Sequence, residues 1–137
     1  MKKILLIPLQ IFLGICAKFY VYRTKPKVIG VTGSVGKTSC RMIISGVLEK
    51  YLPEMRVYTS EKNFNSELGL VFSIFQIADY TPGVGNLLKL SFKIFFASFT
   101  RGKKYDILVL EYGVDHPGDM DFLLGICKPD YSIFTKL

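Results

Sequence analysis

Residues 28 to 39 read Val28-Ile29-Gly30-Val31-Thr32-Gly33-Ser34-Val35-Gly36-Lys37-Thr38-Ser39. This stretch decides the fold, because an apolar run leads into a glycine-rich turn and a helical pattern over about 38–50 follows it. Strand, glycine-rich turn and helix in that order are the context in which a phosphate-binding loop works. The glycines let the backbone approach a polyphosphate, and the loop N–H groups and the helix N-terminus point at its anionic oxygens.

The polar residues at the end of this stretch have separate expected roles. Lys37 would place a positive charge near the β- and γ-phosphates, and the Thr38 hydroxyl would be a Mg²⁺ ligand. Val31 stands where the strict G-x-x-x-x-G-K-[ST] form has its first glycine. A glycine-rich turn that binds nothing is the alternative, but packing alone does not explain Gly-Lys-Thr at a strand-to-helix junction. The expected nucleotide-binding residues are Gly33, Ser34, Val35, Gly36, Lys37, Thr38 and Ser39.

Composition restricts the class of protein. The 137 residues suffice for one small domain, and a hydrophobic content of 50% allows a packed core. The net charge of +7 is concentrated in residues 1–27, which hold six bases and no acid, so the remaining residues are nearly neutral. This distribution argues against a nucleic-acid-binding face. The three cysteines are far apart and form no metal or disulfide pattern, as expected in a reducing compartment.

The N-terminal arm, residues 1–26, is mostly apolar between basic ends. A cleaved signal peptide, a membrane-spanning helix and an interfacial or protein-docked helix are three interpretations of such a segment. Lys18 interrupts the apolar run, and a nucleotide loop follows within a few residues, so the third interpretation fits best. Membrane-surface contact through the arm and plain packing on the domain both stay open.

Strand and helix patterns alternate along residues 27–137. Apolar strands are predicted at 28–31, 55–59, 106–110 and 131–134, and helices at 38–50, 68–78, 87–99 and 119–126. Alternation of this kind predicts an α/β fold, a P-loop NTPase-like three-layer sandwich with a mainly parallel sheet, preceded by the apolar helix of the arm. In the helix after the loop, Met42, Ile43, Val47 and Leu48 are expected to face the core.

Four further residues are candidates for chemistry. Glu111 follows the strand at 107–110, and the carboxyl ends of parallel strands are where open α/β sheets bind ligands. Its carboxylate could reach a Mg²⁺ held between Thr38 and the phosphates, or could be a solvated acid. His116 could contact substrate or be structural. Asn63 and Asn65 could simply be loop and cap formers.

Three ordered motifs resemble the Mur ligases, the ATP-dependent amide-forming enzymes of peptidoglycan synthesis. Residues 28–39 resemble their ATP loop, and residues 59–69 resemble Thr-x-Gly-Asn-x-Asn-Asn-x-x-Gly. Residues 110–119 resemble Glu-x-Gly-Ala-Asn-His-x-Gly-Glu, and Lys128-Pro129-Asp130 with Ile133-Phe134-Thr135 resembles a further strand. The pattern departs at Lys62, Ser66 and Asp115, so the acceptor substrate is not fixed by it.

The resemblance implies an ATP-dependent ligase with ATP and Mg²⁺ as cofactors. It implies that Lys37 and Glu111 are catalytic, that Thr38 and Glu111 hold the metal, and that Asn63, Asn65 and His116 lie on the muramyl-peptide side. The expected small-molecule partners are a UDP-muramyl-peptide and D-alanyl-D-alanine, with no nucleic acid. The expected protein is a cytoplasmic monomer, at the inner face of the membrane if the arm contacts lipid.

Residues 27–137 would then be the N-terminal part of a Mur ligase central ATP-binding domain. Because the family's adenine pocket and amine-binding domain would follow Leu137, we expect this chain to be incomplete and inactive alone. The rival hypothesis is a non-catalytic P-loop module that uses a nucleotide as a switch, with or without a membrane contact.

Overall fold

The computed structural model describes residues 2–60 and 67–136. The described elements, in chain order, are α1 (Lys2–Thr24), β1 (Lys27–Thr32), α2 (Lys37–Tyr51), β2 (Val57–Thr59), α3 (Glu67–Ile74), α4 (Val84–Thr100), β3 (Ile107–Glu111), α5 (Asp119–Ile126) and β4 (Tyr131–Phe134). The predicted helix at 68–78 ends early, at Ile74, and Gln76 has a φ of 54° that no helix continues through.

The four strands form one parallel sheet in the order β2-β3-β1-β4. This arrangement confirms the α/β prediction. In the β1–β3 pairing Val31 lies opposite Glu111, so both strands end at the same edge of the sheet. The glycine-rich loop after β1 and the carboxylate at the end of β3 are therefore neighbours because of the strand register.

The sheet has helices on both faces. Ile107, Val109 and Val31 point to the face that α2 covers, together with the half-buried Ile44 and Leu48. Val28, Leu108 and Leu110 point to the other face, where α3 and α5 complete the core. Alternate side chains of β3 thus enter opposite cores, which is why its apolar run is continuous.

The core-facing side of α2 differs from the prediction. Met42, Ile43 and Val47 are about half exposed or more, whereas Arg41 and Ser45 are buried against the sheet. Hydrophobic periodicity assigned the apolar residues to the core, but the helix is rotated so that Arg41 meets polar partners on β2 and β3. The prediction is confirmed for Leu48, which packs against the core, and was wrong for Met42, Ile43 and Val47, because buried polar contacts determine the rotation of α2.

Helix α1 packs against α3, α4 and α5 rather than standing apart from the domain. Its side chains Leu13 and Ala17 are completely buried, and Tyr20 donates a hydrogen bond to the Gly102 carbonyl at 3.1 Å. Arg23 donates to the carbonyls of Ser98 and Arg101 at the C-terminal end of α4. By length and apolar composition the segment Leu6–Thr24 could cross a membrane, a test that core helices also pass.

Candidate nucleotide site

The glycine-rich loop between β1 and α2 adopts a backbone that only glycine takes up easily. Gly33 has a φ of 139° and Gly36, the N-cap of α2, has a φ of 82°. A Cβ atom at Gly33 would overlap the Oγ1 atom of Thr135. The Ser34 N–H donates to the Lys136 carbonyl at 2.8 Å, so the segment after β4 supports the loop from behind.

The two polar residues that open α2 are both half-buried. The Lys37 ammonium donates to the Gly33 carbonyl at 2.7 Å, which folds its side chain back over the loop. Ser34, Val35, Gly36 and Ser39 are exposed, so the outer surface of the loop is accessible to solvent. The helix N-terminus adds a partial positive charge at this surface, so the loop can receive an anion.

Glu111 joins this loop through Thr38. The Thr38 hydroxyl donates to Glu111 Oε2 at 3.2 Å, and the Glu111 side chain retains 21% of its exposure. The Arg41 Nε atom lies 3.4 Å from the same oxygen, and the Arg41 side chain is only 1% exposed. A buried cation thus holds one oxygen of a carboxylate whose remainder reaches solvent.

Arg41 has a second partner on the neighbouring strand. Its Nη1 atom donates to the Thr59 hydroxyl at 3.0 Å, and that hydroxyl donates to the Val109 carbonyl at 3.0 Å. The guanidinium therefore links α2, β2 and β3 at the point where both strands end. This fixes Arg41, and through it the Glu111 carboxylate, in one orientation.

The donors at this edge fit a Mg²⁺ ion. Mg²⁺ is commonly bound by one or two protein oxygens, with phosphate oxygens and waters completing an octahedron at 2.0–2.1 Å. Neighbouring ligands of such an octahedron are about 2.9 Å apart, and Thr38 Oγ1 and Glu111 Oε2 are separated by 3.2 Å. Within residues 2–60 and 67–136, no group of three or more His, Cys, Asp or Glu side chains is arranged so that it could hold a metal ion.

The turn after β3 is tied to the rest of the site by Tyr112. Its N–H donates to the Val31 carbonyl at 2.9 Å, and its carbonyl accepts from the Thr32 hydroxyl at 2.9 Å. Burial raises the pKa of the Tyr112 hydroxyl, which stays protonated and donates to the Cys127 carbonyl at 2.7 Å. The chain leaving Glu111 is thereby held against β1 and α5.

Among the described residues, the predicted substrate residue His116 is not drawn into the contacts that join Lys37, Thr38 and Glu111. The His116 side chain is 82% exposed, and its Nδ1 atom lies 3.8 Å from Asp119 Oδ2. Hydrogen bonds from the backbone N–H groups of His116 and Asp115 hold the pKa of Asp119 below its usual range. Asn63 and Asn65 lie outside the described residues. The structure thus brings together Lys37, Thr38 and Glu111, while His116 lies on the next loop at the same edge.

Sequence reasoning missed Arg41 and the supporting hydroxyls of Thr59 and Thr135. One signal was present for Arg41: it follows Thr38 by three residues, which places both side chains on one face of α2. Nothing local marks Thr59 or Thr135, because their contacts join residues far apart in the chain.

Comparison with known proteins agrees with this geometry. Residues 31–137 match the Mur ligase middle domain. The chain belongs to the Mur ligase middle-domain family. The resemblance carried by the three motifs is therefore confirmed at the level of the family.

Two similar proteins have the same name. The UDP-N-acetylmuramoyl-tripeptide–D-alanyl-D-alanine ligase of Bacillus subtilis (strain 168) is 29% identical over 121 residues, covering 88% of this chain and 21% of the relative. The ligase of the same name from Borreliella burgdorferi is 30% identical over 121 residues, covering 88% and 20%. This chain thus spans about a fifth of the length of the curated relatives it matches.

A solved structure gives the same result for the fold. The MurF ligase from Thermotoga maritima in complex with ADP matches 90% of this Mur ligase chain with a TM-score of 0.63 and 29% identity, over 23% of its own length. The fold of this chain therefore occurs in a protein whose structure was solved in complex with ADP.

Proposed function

We propose that this Mur ligase chain provides the nucleotide and metal site of an ATP-dependent ligase that joins D-alanyl-D-alanine to a UDP-muramoyl-tripeptide. The observation that supports it is the meeting of Lys37, Thr38 and Glu111 at one edge of the sheet, on a loop whose glycines take positive φ values. The names of the relatives supply the substrates. The use of ATP and of UDP-linked precursors supports a cytoplasmic location for the proposed reaction.

In the proposed reaction the terminal carboxylate of the tripeptide attacks the γ-phosphorus of ATP, ADP leaves, and an acyl phosphate forms. The amine of D-alanyl-D-alanine then attacks the acyl carbon, and phosphate leaves as the amide forms and a proton is released. Such chemistry depends on positioning and on stabilisation of developing negative charge.

The residues of this chain divide that work. The Lys37 ammonium turns from the Gly33 carbonyl to the phosphate oxygens, where it stabilises the charge that develops during transfer. Thr38 and Glu111 would hold Mg²⁺, which when bound neutralises phosphate charge. Arg41 orients Glu111 from beneath, and its burial shields this contact from water. Asn63, Asn65 and His116 are proposed to contact the muramyl-peptide, on the evidence of the motif resemblance.

Nucleotide binding by the product of the complete reading frame tests the site. Isothermal titration with ADP and Mg²⁺ should show saturable binding that Lys37→Ala abolishes. Lys50→Ala, which removes an exposed lysine from the far end of the same helix, is the matched control. Equal binding by both variants would show that the loop is not the nucleotide site.

The ligase assignment needs a separate measurement on the product of the complete reading frame. ADP release should depend on both UDP-muramoyl-tripeptide and D-alanyl-D-alanine. Nucleotide binding without substrate-dependent ADP release in that protein would favour the non-catalytic P-loop module instead.

A further inference from the structure

Two adjacent helices on the back of the sheet expose a continuous apolar surface. Helices α1 and α4 are joined by ring contacts between Phe12 and Phe95, with centroids 5.9 Å apart, and between Phe19 and Phe99, at 4.9 Å. Beside this seam, large apolar side chains that are about half exposed or more follow both helices at helical spacing: Ile7, Ile11, Ile15 and Tyr22 on α1, and Leu88, Phe92, Phe96 and Phe99 on α4. We call this surface the α1–α4 face.

The exposure on this face does not result from poor packing of the two helices. Each helix has a second, buried side, formed by Leu13 and Ala17 on α1 and by Leu87 and Ile94 on α4. Monomeric proteins seldom expose large contiguous apolar patches unless something covers them. The α1–α4 face is therefore a candidate docking surface that exists in addition to the core contacts.

The charges on the two helices have one sign. Neither Lys2–Thr24 nor Val84–Thr100 contains an aspartate or glutamate, whereas Lys18, Lys89 and Lys93 are exposed lysines among these residues. Successive residues of a helix are rotated by about 100°, so Lys18 points away from the seam that Phe19 makes with α4. Lys89 and Lys93 likewise lie about a third of a turn or more from the seam residue Phe95. Lys18 thus lies among the exposed apolar residues of α1, and Lys89 and Lys93 border the face on the outer side of α4.

We propose that the α1–α4 face binds the surface of an anionic lipid bilayer. Apolar and aromatic side chains would enter the boundary between headgroups and acyl chains, and the bordering lysines would contact anionic headgroups, as interfacial helices do. The charge argues for lipid over a second copy of this face, because two such faces would place lysines against lysines. This inference does not depend on the ligase reaction.

The same contacts argue against α1 crossing the bilayer. A spanning α1 would have to leave α3, α4 and α5, exposing the buried side that holds Leu13 and Ala17 and breaking the bonds of Tyr20 and Arg23. An interfacial position keeps all of these contacts. For this reason the test uses substitutions on the exposed side and leaves α1 in place.

The experiment is sedimentation of the purified chain with vesicles of phosphatidylglycerol and phosphatidylcholine in equal parts, and with vesicles of phosphatidylcholine alone. The wild type should bind the anionic vesicles at low salt and be released at high salt. Ile15→Ser combined with Phe92→Ser and Phe96→Ser should weaken binding at least about tenfold. Ile43→Ser combined with Val47→Ser, which changes exposed apolar residues of α2 across the sheet, should leave binding unchanged.

Charge reversal provides a second pair of variants that leaves the apolar residues intact. Lys89→Glu with Lys93→Glu should weaken binding by more than about fivefold for each lysine. Lys50→Glu with Lys128→Glu changes the net charge equally at exposed sites elsewhere and should have a much smaller effect. Circular dichroism of each variant confirms that it is folded.

Several results would overturn the proposal. The proposal fails if the wild-type chain stays in the supernatant at low salt. It also fails if the α2 double variant loses as much binding as the triple variant of the α1–α4 face. Binding that resists both high salt and alkaline carbonate would mean that α1 inserts across the bilayer. A concentration-dependent dimer that the triple variant abolishes, without vesicle binding, would assign the face to a second copy.

Discussion

Strand β3 has a carboxylate paired with an arginine at each end, and the two pairs are built differently. At the amino end Asp106 Oδ2 lies 3.1 Å from Arg56 Nε, with the side chains 28% and 56% exposed. At the carboxyl end Glu111 Oε2 lies 3.4 Å from Arg41 Nε, with the side chains 21% and 1% exposed. The same two chemical groups thus occupy a solvated position and a largely dehydrated one on a single strand.

The two pairs also differ in how the carboxylate oxygens are used. Asp106 accepts the Arg56 backbone N–H at 2.9 Å and two guanidinium bonds, which join β2 to β3 and use both carboxylate oxygens. At Glu111 the contacts from Arg41 and Thr38 converge on Oε2. Desolvation offsets much of the energy gained from a buried ion pair, so stability alone is a weak explanation for the pair at the carboxyl end.

The largest effect is expected for Lys37→Ala, measured on the proposed ligase activity of the product of the complete reading frame. Loss of one positioned positive group from a developing charge costs about 10²–10³-fold in kcat. The melting temperature should stay near that of the wild type, because among the described residues the ammonium's hydrogen bond is to the Gly33 carbonyl of the loop. Steady-state kinetics and thermal unfolding measure the two quantities, and a stability loss that explains the lost activity would contradict the assignment.

Glu111→Gln compared with Asp106→Asn tests the two ends directly. Glu111→Gln should raise the Mg²⁺ concentration needed for half-maximal activity and lower kcat by about tenfold or more. Asp106→Asn should leave the Mg²⁺ titration unchanged, because Asp106 lies at the opposite end of β3. Parallel Mg²⁺ titrations of the two variants decide the matter, and identical curves would mean that Glu111 is not a ligand.

Replacing each arginine should show that the two pairs contribute differently to the free energy of unfolding. Arg41→Met removes the buried guanidinium that contacts Glu111 and Thr59 and should lower the free energy of unfolding by about 2 kcal/mol, less than for a fully buried pair. Arg56→Met should change the denaturation midpoint much less, because its pair is exposed. Urea denaturation measures both, and Arg41→Lys serves as the control that retains the charge.

The sequence alone predicts that Glu111 ends β3 beside the glycine-rich loop, but not that a buried arginine is paired with it. The loop, β3 and Glu111 follow from apolar runs, glycine spacing and the rule that parallel strands end together, and the strand register confirms that they meet. The burial of Arg41 and the exposure of Met42, Ile43 and Val47 could not be predicted in the same way. Periodicity assigns apolar residues to the core, whereas the rotation of α2 depends on Thr59 and Glu111, which are distant in sequence.

The packing of α1 against the domain could not be predicted from the sequence either. The apolar arm was evident from the sequence, but both sides of α1 are apolar, so no pattern indicates which side packs on the domain. Tyr20 and Arg23 fix the choice through bonds to residues 98–102, about 80 positions away. Contacts of that separation have no signature in a single sequence.

The smallest expected effect is the pH dependence of the amino-end pair. Hydrogen bonds from Arg56 lower the pKa of Asp106 to about 2, whereas an unfolded aspartate titrates near about 3.9. A depressed folded-state pKa means that the pair's contribution to stability is complete above the unfolded pKa and is lost as the pH falls through the folded one. Thermal unfolding of the wild type and Asp106→Asn should therefore differ modestly at neutral pH and converge between about pH 4 and about pH 2. A difference that persists at the lowest pH would show that Asp106 acts through its neutral hydrogen bonds, and that the contrast with Glu111 does not rest on charge.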